Sequence, residues 1–230
     1  NLCACLIVLL GSFIGLDSPL TVTQMLWVNL IMDTFAAMAL SSLPAERGVL
    51  NEPPRNPSSH IINRKMLGRI VGTGLCFFAI LVGLWQLLHH VEISSVRDII
   101  SEQSISHFAE SISTLSGTAE PLTRYELGIF FSVFVILQFW NMFNAKYFAT
   151  RRSLILDLVD LVRKPQAVKE SYSLYFVMIA AVILVGQVLI VNFASDLFGV
   201  APLSLSDWGW IILLTSPVLL VPDIVRMIRR

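Results

Sequence analysis

Long uncharged apolar runs recur along this 230-residue chain, and polar stretches separate them. Six runs qualify as membrane spans: about 2–15, 21–43, 67–88, 125–145, 172–193 and 208–226. A helix needs about 20 apolar residues to cross a hydrocarbon core about 30 Å thick, so the first run is short. The pattern predicts an all-α fold, an integral membrane bundle of about six transmembrane helices forming one domain over 1–230. A tight connection, Gly15-Leu16-Asp17-Ser18-Pro19, joins the first two spans. The stretch 44–66 is a proline-rich polar loop, 91–123 a polar loop rich in Ser and Glu, and 146–170 a basic loop.

Composition agrees. Charged residues make up 14% and apolar residues 55%, whereas soluble domains carry about a quarter charged residues. The net charge of zero gives no pointer to nucleic acid. The placement of charge says more. Arg47, Arg55, Arg64, Lys65 and Arg69 would share one side of the membrane with Lys146, Arg151, Arg152, Arg163, Lys164, Lys169, Arg226, Arg229 and Arg230. Only Arg97 and Arg124 fall on the other side. The positive-inside rule then makes the C-terminus cytoplasmic and the 91–123 loop extracytoplasmic. Trp208 and Trp210 at a span edge read as aromatic-belt residues. Cys3, Cys5 and Cys76 offer neither a disulfide framework nor a zinc spacing, and read as small buried hydrophobes. The chain begins inside an apolar segment with no Met and no basic leader, which reads as a piece of something longer rather than a signal peptide.

Polar residues at membrane depth are the candidates for chemistry. A mid-bilayer carboxylate costs about 2.5–3.5 kcal/mol on insertion scales. Asp33 is the clearest case, with Asn29 four residues earlier on the same helical face. Together they offer an amide oxygen and two carboxylate oxygens, and hard cations such as calcium take six to eight. The alternative is a buried Asp bonded to a neighbouring helix. Gln138 and Asn141 share a face of the fourth long run and suit either helix–helix hydrogen bonding or an ion pathway. Asn144 follows them, and Gln187 reads as packing. Asp223 is expected to pair with Arg226. His89 and His90 read as interfacial, and Pro217 and Pro222 as kinks in the last span.

The run Gln24-Met25-Leu26-Trp27-Val28-Asn29-Leu30-Ile31-Met32-Asp33-Thr34 resembles the sixth transmembrane helix of P-type calcium ATPases. Asp17-Ser18-Pro19-Leu20 and Phe35-Ala36-Ala37-Met38-Ala39-Leu40 resemble the plasma-membrane type, which has many bacterial members. The resemblance spans the chain and is strongest over 1–43 and 134–146. It implies a C-terminal transmembrane domain with Asn29 and Asp33 as calcium ligands and Asn1 as a further candidate. Ala4, Met32 and Gln138 stand where the sarcoplasmic-reticulum type has glutamate, threonine and glutamate ligands, which implies a single site. The chain contains no Asp-Lys-Thr-Gly-Thr phosphorylation motif. Catalytic and cofactor-binding residues are therefore expected to be absent here, with ATP and Mg used by other domains of the pump. The implied partners are those domains: the fourth-helix region, and the phosphorylation domain through the 44–66 loop. The implied location is the plasma membrane. The rival readings are a pump for manganese, sodium or protons, and a stand-alone six-helix channel or secondary transporter.

Overall fold

The computed structural model describes residues 2–14, 20–44, 51, 53–54, 58, 60–90, 93–101, 121–148, 153–163 and 174–228. Regular structure among them is entirely helical. The main helices are α1 (Leu2–Ile14), α2 (Val22–Ser41), α3 (Arg64–His90), α4 (Arg124–Lys146), α5 (Leu154–Arg163), α6 (Leu174–Phe193), α7 (Leu205–Thr215) and α8 (Pro217–Ile228).

Among the described residues, five segments are long and apolar enough to cross a membrane: α2, α3, α4, α6 and the α7–α8 pair. The first expected span does not reach that length. α1 has 13 residues, about 20 Å of helix, and packs against α3. The sixth expected span is two helices. Pro217 can donate no backbone N–H, and the helix breaks at Ser216.

Three spans start with the same local device. Thr21, Thr123 and Ser204 each cap a helix, and Gln24, Glu126 and Asp207 three positions on accept from the cap's backbone N–H. Each reciprocal box satisfies helix-end donors that hydrocarbon would leave without partners. With alternating spans, all three boxes lie at the same face of the bundle. There Asp207 also accepts from Val96 N at 3.2 Å, docking the 3-10 turn Val96–Ile100 onto α7.

α4 is the axle. Residues Ile129–Leu137 are buried on every side, and the helix packs against α2, α3, α6, α7 and α8. Its aromatic residues continue into a cluster of Phe139, Trp140, Phe143 and Phe176. Trp208, expected at the lipid interface, instead packs in the core at 4% exposure.

Candidate cation site

α2 is not a plain α-helix. Between Val22–Leu26 and Asp33–Ser41 it opens into a π turn over Trp27–Met32. The Asp33 N–H bonds Val28 O, five residues back. Such single π turns inside α-helices are rare and concentrate at functional sites. The buried positions explain how this one fits. Gln24, Val28 and Met32 face the bundle at steps of four. In an α-helix each such step drifts about 40° around the axis, and the wider π turn takes up that drift.

Asn29 and Asp33 each follow one residue after a buried member of that stripe, so both stand on its same flank. Asn29 is exposed and Asp33 half-buried. Among the described residues, neither side chain has a hydrogen-bond or ion-pair partner. Thr34 instead bonds back to Leu30 O. Only 22% of the α2 window is buried, against 72% for α4. A carboxylate and an amide therefore sit on the open flank of a membrane-length helix. Asn1 lies outside the described residues. Ala4 and Met32 are buried, at 1% and 2% exposure, and carry no hard oxygen. No cluster of three or more His, Cys, Asp or Glu occurs among the described residues.

Gln138 and Asn141 do not join the α2 pair. They line a cavity of about 710 Å³ between α1, α3, α4 and α8, with Arg69, Thr73 and Asn144 beside them and Cys3, Phe77 and Val221 as apolar wall. Neither Asn29 nor Asp33 reaches it. The Arg69 guanidinium lies over the Phe148 ring at 5.2 Å.

Several other polar groups near the spans are bound within the protein, although Ser132 Oγ in α4 has no hydrogen-bond partner. Asp223, with no exposure, accepts from Leu154 N and Ile155 N, both at 2.9 Å, at the start of α5. Its expected pair with Arg226 forms at 3.2 Å. Arg226 also reaches Asn144 Oδ1 at 3.2 Å, and Asn144 Nδ2 donates to Val218 O at 2.9 Å. Next to this clasp, Lys146 Nζ and Tyr147 OH meet Asp157 Oδ2 at 3.2 and 2.8 Å. His89 Nδ1 pairs with Trp85 O. Gln187, read as packing, accepts from the Trp27 indole at 2.9 Å. The π turn escaped the sequence reading altogether. Its only trace there is the step-of-four spacing of Gln24, Val28 and Met32, which any helix face can show.

Comparison with known proteins identifies the scaffold. The family model described as "Cation transporting ATPase, C-terminus" matches residues 17–228. Plasma membrane calcium-transporting ATPase 1 of Oryctolagus cuniculus is 30% identical over 228 residues, which is 99% of this chain and 16% of that protein. The Gallus gallus protein of the same name is 29% identical over the same shares. Plasma membrane calcium-transporting ATPase 4 of Bos taurus is 26% identical over 215 residues, 91% of this chain and 15% of that protein. The chain thus spans about a sixth of the length of these relatives. By the match over 17–228, the chain belongs to the family of cation-transporting ATPase C-terminal domains.

Proposed function

We propose that this chain is the membrane half of an ATP-driven calcium pump, in which Asn29 and Asp33 coordinate the transported ion. One observation carries the reading. The mid-span carboxylate of α2 stands beside a π turn, on an open flank, with no partner among the described residues. A carboxylate left that way in hydrocarbon is costly. An ion, with ligands from another helix, removes the cost. Asn29 gives one oxygen and Asp33 at most two, so a calcium ion needs at least three more. The fourth-helix region of the complete pump is their proposed source, and Asn1 a candidate for one of them.

Ala4 and Met32 offer no hard oxygen, and Gln138 is uncharged and turned to a separate cavity. This supports one calcium per cycle rather than two. ATP and Mg act in other domains, one of which the 44–66 loop would touch. The basic loops favour a cytoplasmic C-terminus by the positive-inside rule, and the relatives' names favour the plasma membrane.

In the full-length protein, Asp33→Asn keeps the shape and removes the charge. Calcium-dependent phosphorylation from ATP is expected to fall below about 1% of wild type, the order of loss when a buried charge loses its counter-charge. Normal calcium-dependent phosphoenzyme in that variant would make Asp33 structural. Manganese, sodium and proton competition in the same assay separates the ions.

A further inference from the structure

The open flank of α2 raises the question of what holds the π turn in register. A π turn carries one residue more than the α turn it replaces. Reverting to α geometry would swing everything beyond it by about 100°, one residue's rotation. Asn29 lies inside the turn and Asp33 closes it, so the bearing of both depends on the turn surviving.

A socket on α6 meets the turn where it begins. The Trp27 indole N–H donates to Gln187 Oε1 at 2.9 Å. Gly186 makes room for the ring: a Cβ there would meet Trp27 Cη2 at 3.3 Å and Cζ2 at 3.5 Å. An indole only donates, so the carboxamide must present its oxygen to it. Gln187 is fully buried, and its Nε2 has no hydrogen-bond partner. A buried amide with an orphaned donor packs worse than a leucine of similar bulk, so the acceptor is the feature that distinguishes this residue from an apolar one. One turn before Trp27, Gln24 Nε2 donates to Phe198 O at 2.8 Å, fixing the preceding segment against the short helix Ser195–Phe198 that follows α6. Beyond the turn, Ala39 is wholly buried where α2 runs along α6.

We infer that Gln187 is a positioning residue for the cation site: its oxygen, with the gap at Gly186, locks Trp27 and so holds the π turn that aims Asn29 and Asp33. Gln187 touches no ion. It acts through Trp27 and the backbone of 27–33. This inference rests on the proposed role of Asn29 and Asp33.

The test uses the full-length protein with Gln187→Leu, Trp27→Phe, and both together. Two readouts are taken: half-saturating calcium for phosphoenzyme formation from ATP, and hydrogen exchange of the backbone amides over 27–33. Each single variant is expected to raise half-saturating calcium about fivefold, the size of one buried hydrogen bond. The phosphoenzyme level at saturating calcium stays at the wild-type value, the double variant is no worse than the singles, and exchange over 27–33 quickens. Gly186→Ala, which crowds the ring without removing the acceptor, shifts both readouts the same way by less. Unchanged calcium dependence with quickened exchange would overturn the inference, because the lock would then not act on the site. So would additive effects in the double variant, or a fall in the saturating level with calcium dependence intact. If the wild-type protein forms no calcium-dependent phosphoenzyme, the proposed function fails first. Unchanged exchange over 27–33 in Gln187→Leu then overturns the lock on its own.

Discussion

α4 and α2 differ in what their polar residues meet: Trp140 and Asn144 of α4 are tied to α7 and α8, Gln138 and Asn141 line a cavity, and the polar centre of α2 is open. α4 is the buried axle, with the amide of Asn144 tied to Val218 O and to Arg226, and the Trp140 indole donating to Thr215 Oγ1 at 2.9 Å. α2 is mostly open, and the two polar side chains at its centre have no partner among the described residues. On the proposed function, the contrast separates scaffold from site. Polar groups that hold a membrane bundle together find each other inside the protein, because hydrocarbon offers nothing else. Polar groups that serve an ion keep their oxygens free. α2 itself contains both tied and unpartnered polar groups. Gln24 and Trp27 are pinned to the scaffold, and Asn29 and Asp33, a few residues on, are not.

The comparison breaks if scaffold polar groups prove dispensable for stability. Asp223→Ala should have the largest effect. It strips the Arg226 guanidinium and the Leu154 and Ile155 amides of their buried acceptor. Removing one partner of a buried pair costs about 3–5 kcal/mol. Unfolding of the full-length protein in detergent measures this, and a change below about 1 kcal/mol would remove Asp223 from the scaffold. Trp140→Phe keeps the ring and deletes one hydrogen bond to α7, so about 1 kcal/mol is expected in the same assay. Arg124→Ala is the small end of the scale. Its pair with Asp196 is 65% and 92% exposed, and exposed pairs contribute at most about 0.5–1 kcal/mol, falling with salt.

Much of this was legible in the sequence, for a physical reason. Long apolar runs leave a chain few options but membrane helices, so the runs at 67–88, 125–145 and 172–193 reappear as α3, α4 and α6 within a few residues. The structure extends α3 to Arg64–His90 because charged and polar ends can remain helical while reaching the interface. The Asp223–Arg226 pair was legible from its spacing of three. Its backbone partners at 154 and 155 were not, since nothing local ties positions about 70 residues apart. Asn29 and Asp33 were legible as a pair because carboxylates are rare at membrane depth. Their separation from Gln138 and Asn141 was not. A helix face is readable from spacing, but which neighbour it meets is decided by packing. The inward turn of Trp208 has the same origin: an aromatic near a span end can belong to the belt or to the core.

The central claim is that the α2 pair binds the transported ion, and direct binding tests it without the steps that follow. Radioactive calcium bound per phosphorylatable full-length protein should come to about one in the wild type, since one carboxylate here and one from a further helix balance a single divalent charge. It should fall to background in Asp33→Asn, with the unfolding midpoint unchanged because Asp33 has no partner among the described residues. A ratio near two in the wild type, or binding retained in Asp33→Asn, would contradict the account.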